Sequence, residues 1–217
     1  MEQDSPTVDP AAGLNRRGAL GLLGALGLAG ISLAGCGSDD AAAEVSTDPA
    51  AVTHSATRLS VSPSLSYEQV VRRFEKTVPE LPLAEMKAGL ARGRMDEVRS
   101  LLLAGSPVRM YRFYALDVTP FMAAAGHSGK ARTYLMGNPL IAETMFAVDP
   151  GVMLYAPLRV LIHTDAAGAA HWVLDRPSEL FASFTSPEIT AAGTQIDVAV
   201  ANLLRVMKFE VPAALAT

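Results

Sequence analysis

Apolar positions recur along this chain in two rhythms. Ala56–Ser62 alternates polar and apolar residues, as a strand covered on one face does. Tyr67, Val70, Val71, Phe74 and Val78 then recur at helical spacing. Ser66-Tyr67-Glu68-Gln69 opens that helix as a capping box, with Ser66 as cap and Gln69 reaching back. Pro79 ends it. Leu83–Ala104 reads as a second helical stretch, weakened by Gly89 and Gly93 and stopped by Gly105-Ser106-Pro107.

The rhythm then changes to strands. Val108–Leu116 is rich in aromatic residues and Lys130–Met136 follows it. Gly137-Asn138-Pro139 is a sharp strand-to-helix junction, with Asn138 as cap and Pro139 preset for the first turn. That helix runs to about Val148 and stops at Asp149-Pro150-Gly151. Leu158–Thr164 and Ala169–Leu174 form a hairpin across Asp165–Gly168. Ser186-Pro187 opens the last helix, whose apolar face is Ile189, Ala192, Ile196, Val200, Leu203 and Met207. The order is β-α-(α)-β-β-α-β-β-α. It predicts the α+β class, an antiparallel sheet with helices packed on one face. Such a sheet can curl around its longest helix and leave a cavity between them.

A different pattern precedes this domain. Residues 1–15 are polar, Arg16-Arg17 follow, and Gly18–Gly35 is apolar. That order predicts a signal peptide over residues 1–35. Leu33-Ala34-Gly35-Cys36 resembles the lipobox of bacterial lipoproteins. The resemblance implies a thioether from Cys36 to diacylglycerol and cleavage just before it. Arg16-Arg17 resembles part of the twin-arginine signal; Asn15 stands where Ser or Thr is usual and Ala19 where Phe is usual. The alternative is a transmembrane helix, since 18 residues span about 27 Å. Against it, the run is rich in Gly and Ala and has no aromatic belt. Residues 36–55 read as a lipidated flexible tether, and 56–217 as one domain. The expected location is the outer side of the cytoplasmic membrane or the periplasm, with the membrane as partner through the lipid on Cys36.

Composition narrows the rest. Half of the 217 residues are apolar and 18% are charged, enough for a sizeable core. Without residues 1–35 the chain carries 16 basic and 19 acidic residues. That balance gives nucleic acid no electrostatic footprint. Cys36 is the single cysteine, so it has no partner for an intramolecular disulfide. No metalloprotease HExxH, CxxC, haem-attachment, Walker A or G-x-S-x-G pattern occurs after the leader. No cofactor is therefore named.

Candidate chemistry is sparse. Asn138 sits where a helix N-terminus favours an anion; the plain alternative is a cap. Arg159, beside Pro157, would hold a carboxylate if it faced a cavity; the plain alternative is an exposed strand residue. His163 and His171 flank the hairpin turn. A loop of Asp165–Gly168 places them on opposite faces. A one-residue bulge at Gly168 sets them opposite one another, within reach of a shared zinc or copper ion. Their plain reading is solvated turn residues.

Asp117, Gly137-Asn138-Pro139, Ala156–Ile162 and Gly168 together resemble the domain-of-unknown-function 302 family over roughly Tyr111–Leu180, and more faintly over the helix at Ser66–Val78. The resemblance implies a compact α+β sheet-and-helix domain and carries no assigned reaction. Val118 stands where the family often has histidine, and Leu83–Ala104 looks like an insertion. The function expected is binding of a small ligand without catalysis. The alternatives are an interaction scaffold and an enzyme of unrecognised type.

Overall fold

A computed structural model describes residues 50–216. Arg16, Arg17, Cys36 and the rest of the expected leader lie outside the described residues. Pro49–Thr217 form one compact unit. Single side chains attach its first described residues. The Tyr155 hydroxyl meets His54 Nε2 at 2.8 Å. Thr57 donates its backbone N–H and its hydroxyl to the Glu179 carboxylate, at 2.6 and 2.9 Å.

Five strands form one antiparallel sheet. They are β1 (Arg58–Val61), β2 (Tyr111–Asp117), β3 (Ala131–Gly137), β4 (Leu158–Thr164) and β5 (Ala170–Asp175), in the spatial order β1-β5-β4-β3-β2. Helix α1 (Tyr67–Thr77) follows β1. Both capping-box bonds form at its start: Gln69 N–H to Ser66 Oγ at 3.3 Å, and Ser66 N–H to Gln69 Oε1 at 2.8 Å. Helix α5 (Pro139–Phe146) follows β3, and the long α7 (Pro187–Val206) closes the chain behind its Ser186 cap.

The α+β class and the one-sided packing hold. The alternation of each strand explains why. Leu59, Val61, Tyr134, Met136, Leu158, Val160, Ile162, Trp172 and Leu174 are all buried on one face, under α1 and α7. The opposite face carries Ser60, Tyr114, Leu116, Thr133, Leu135, Arg159, Leu161, His163, His171 and Val173 by strand parity. No helix packs on it among the described residues.

Four local details depart from the expectation. Leu83–Ala104 is two helices, α2 (Leu83–Ala91) and α3 (Met95–Ala104). Gly93 separates them with φ +68°, a conformation that favours glycine. Short helices α4 (Thr119–Ala124) and α6 (Pro177–Ala182) add to the predicted order. Six residues are too few to show a helical period, although Pro120 and Pro177 mark both first turns. The strand expected from Val108 begins at Tyr111, because Arg109 turns the chain with φ +55° and Ser106 bonds back to Met110. Finally, sheet and longest helix are packed tightly at Ile189, Val200, Leu203 and Leu204 of α7, which are fully buried, so that space is left only near Ile196.

Phe74 of α1 joins the two layers. Its ring lies 4.8 Å from Tyr134 and 6.5 Å from Trp172, centroid to centroid. All three are fully buried. Phe74→Ala should therefore cost about 3–5 kcal/mol of unfolding free energy, read from a denaturant melt.

Candidate functional site

Gly137 ends β3, and the chain turns within one residue into α5. Asn138 makes that turn. Its Oδ1 accepts from Leu140 N–H at 2.9 Å and from Ile141 N–H at 3.2 Å. Pro139 has no N–H to satisfy, and the next two amides of the helix start are thereby satisfied. Asn138 is a working cap, which was its plain reading.

The turn lines one wall of a cavity of about 250 Å³. Ala142, Met145 and Phe146 of α5 form a second wall, and Met153, Pro157 and Leu158 a third. Phe181 of α6 and Ile196 of α7 close the end. The lining is almost wholly apolar; Asn138 and Glu143 are its polar side chains. Glu143 is held by Arg99 of α3 at 2.7 Å. At the rim, Phe146 and Met153 are about half exposed. An apolar cavity of about 150 Å³ stays dry and binds benzene, whereas drug-sized ligands take about 300–1,000 Å³. This cavity lies between, the size for a ring or a short hydrocarbon chain.

The other candidates lie elsewhere. Asp117 sits at the end of edge strand β2, under α1. It accepts from Arg132 Nη2 at 2.6 Å and from Thr119 N–H at 2.9 Å. Arg132 reaches Glu75 at 3.0 Å with its other terminal nitrogen, and the Tyr134 hydroxyl donates to the same Glu75 oxygen at 2.9 Å. Partial burial opposes ionisation of Asp117, but its Arg132 and Thr119 hydrogen bonds outweigh it and hold its pKa below the usual carboxylate value. Burial pushes the Tyr134 hydroxyl pKa up, and the bond to Glu75 adds to that. Nearby, the hydrogen bond from Lys130 draws Glu68 down to about 2. These ions bond to one another, with the buried Arg132 Nε left without a hydrogen-bond partner, and the cluster does not meet the cavity.

Arg159, on central strand β4, is exposed on the open face; its only ion-pair partner among the described residues is Asp175, at 3.7 Å. It faces no cavity wall of the kind just described.

His163 and His171 do come together. Thr164 pairs with Ala170, so the loop is Asp165–Ala169 and His163 stands opposite His171. This is the bulged register, and Gly168 supplies it with φ +83°. The rings stack 5.0 Å apart at an interplanar angle of 15°. His171 already uses both ring nitrogens, and His163 Nδ1 lies 3.1 Å from the Thr164 carbonyl. Only His163 Nε2 is left as a free ligand atom in the pair. Among the described residues no group of three or more His, Cys, Asp or Glu is arranged around a common metal position.

The periodicity did not point to most of the cavity lining. Phe181 lies on the short α6, and Met153 on a tight turn of Pro150–Leu154. The available signal was the excess of large apolar residues in Met145–Leu154, beyond what one amphipathic helix face buries.

An antiparallel sheet with helices on one face and a cavity at the β3–α5 turn defines a sheet-and-helix α+β domain. Residues 109–208 match the family described as "Domain of unknown function DUF302", and that stretch of the chain belongs to it. The match runs from the approach to β2 to just beyond α7, so β1, α1, α2 and α3 lie before it. The chain is also similar in fold to the crystal structure of an uncharacterized conserved DUF302 protein from Bacillus stearothermophilus. That likeness has a TM-score of 0.50 at 14% identity, over 69% of this chain and 97% of the other. No curated protein matches the sequence. No helix among the described residues is long and apolar enough to cross a membrane.

Asn138→Ala should cost about 0.5–2 kcal/mol of stability, and Asn138→Asp should be nearly neutral because Asp also caps. Thermal or chemical melts of both variants check this.

Proposed function

We propose that this protein holds a small apolar ligand in the cavity between α5, Met153–Leu158 and the α6–α7 corner, where it is bound without catalysis. One observation carries the reading: about 250 Å³ of space walled almost wholly by apolar side chains. Its polar groups, the Asn138 amide and the Glu143 carboxylate, are engaged in a cap and an ion pair. They orient a ligand; they are not placed to exchange protons with it.

A ligand is retained here by the area it removes from water, at about 25 cal/mol per Å². The apolar rim formed by Phe146 and Met153 gives a hydrocarbon a continuous path in from the surface. An export leader ending at Cys36 would place such a domain beside a membrane, the natural reservoir of hydrocarbon ligands. The reading therefore joins a lipid anchor at Cys36 with an apolar pocket in the domain.

Two experiments test the two halves. In a fluorescence titration with 1-anilinonaphthalene-8-sulfonate or a medium-chain alcohol competitor, the protein should bind saturably at one site. Ala142→Leu, which fills the cavity from its α5 wall, should weaken binding about tenfold or more while the melt stays cooperative. Equal binding by Ala142→Leu would remove the cavity as the site. For the anchor, Cys36→Ser should shift the protein out of the detergent phase and abolish the diacylglyceryl mass. One acyl chain gives only marginal attachment, and two make it stable.

A further inference from the structure

The open face of the sheet holds a row of polar side chains at one end. Val61 pairs with Trp172, so the next residue, Ser62, lies beside His171, and His171 lies opposite His163. Ser62 Oγ is 2.6 Å from His171 Nδ1. His171 Nε2 is 3.1 Å from Asp165 Oδ2. Asp165 is itself fixed: its Oδ1 accepts from Ala167 N–H at 2.9 Å and from Ala169 N–H at 2.8 Å. Serine, imidazole and carboxylate thus form one continuous chain of hydrogen bonds, contributed by the end of β1, by β5 and by the hairpin loop.

The tautomer follows from the partners. An ionised carboxylate only accepts, so Nε2 of neutral His171 must carry the proton. Nδ1 is then a lone pair, and the Ser62 hydroxyl must donate to it. That is the arrangement of a serine poised for deprotonation, with the acid holding the base in its working tautomer. The His171 side chain is 20% exposed, and Ser62 is open to solvent. Ser62 lines a depression together with Ser60, Pro63, Leu65, Arg73 and Phe209.

We infer that Ser62 is the nucleophile of a Ser62–His171–Asp165 relay that accepts the acyl group of a carboxylic ester lying along this depression. Ser62 Oγ bonds to the carbonyl carbon, and its proton passes to His171 Nδ1. The bond to the leaving alcohol breaks, and the alcohol oxygen takes that proton. Water then adds by the same route, releasing the acid and restoring Ser62. Asp165 is a positioning residue: it touches neither ester nor nucleophile. Pro63 follows Ser62 and has no N–H to offer an oxyanion. Acylation is therefore slow, and covalent labelling is a more sensitive readout than turnover.

The relay is separate from the α5 cavity, and its test uses the whole chain. A fluorophosphonate probe exchanges its P–F bond for a bond to Ser62 Oγ, releasing fluoride. Peptide mass spectrometry should find the label on Ser62, and p-nitrophenyl acetate should be hydrolysed above the buffer rate. Ser62→Ala should abolish the label. His171→Gln should slow labelling about 100-fold or more, the scale of a lost general base. Asp165→Asn should also slow labelling. In that variant nitrogen-15 NMR should report the His171 proton moving from Nε2 to Nδ1, a change that mere loosening of the loop does not produce. Absence of label at Ser62, or an unchanged rate in a folded His171→Gln protein, overturns the proposal. Slower labelling in Asp165→Asn with the tautomer unmoved overturns the role given to Asp165.

Discussion

A single buried carboxylate ties the two ends of this domain together. Asp197, in the middle of α7, is 4% exposed. Ionised and alone it would be costly to bury. Here Arg176 Nε, Ser178 N–H and Ser178 Oγ all donate to it, at 2.9, 2.9 and 2.6 Å. Arg176 also donates its own N–H to the Thr57 carbonyl, and Thr57 is held by Glu179. The start of β1, the end of β5, the first turn of α6 and the middle of α7 therefore share one hydrogen-bond network. Gly193, one turn before Asp197, lets α7 approach α6: a Cβ there would sit 3.1 Å from Ser178 Cα. A buried ion pair is weak evidence of stability but good evidence of a fixed geometry. What it fixes here is the α6–α7 corner that carries Phe181 and Ile196 to the cavity.

That geometry divides the molecule into a side that binds and a side that can react. On the helix-covered side, apolar residues leave a space whose two polar side chains, Asn138 and Glu143, are engaged in a cap and an ion pair. On the open side, no helix among the described residues covers the sheet, so polar side chains keep access to water and to one another. The division is a consequence of strand alternation. Each inward residue adds to the core, and each outward one is free to carry chemistry.

Long rhythms were legible in the sequence, and short contacts were not. The capping box at Ser66, the Asn138 junction, the limits of β4 and the start of α7 all follow from local chemistry that acts within four residues. Helices α4 and α6 are shorter than the window in which a period can be seen. They are held by neighbours far along the chain, as Glu179 is by Thr57. The cavity has the same cause: its walls come from five separate segments, and no local pattern joins Asn138 to Ile196. The likeness at Gly137-Asn138-Pro139 pointed to the right turn because the residues that make it are adjacent.

The hairpin loop shows how much can hang on one residue. With four loop residues, His163 would face Ala170, and the two imidazoles would lie on opposite sides of the sheet. With five, Thr164 pairs with Ala170 and both rings share the open face. A period of two makes any such slip all-or-none. The fifth residue is accommodated because Gly168 takes φ +83° and Asp165 folds its carboxylate back onto Ala167 and Ala169. The second oxygen of that carboxylate is then left facing His171. Loop closure and imidazole orientation are thus two halves of one carboxylate's bonding. Ser62 completes the row only because β1 pairs with β5 in the register that sets Val61 against Trp172. The same pairing buries Trp172 in the core, so the register that secures the fold is the one that assembles the polar row on its far side.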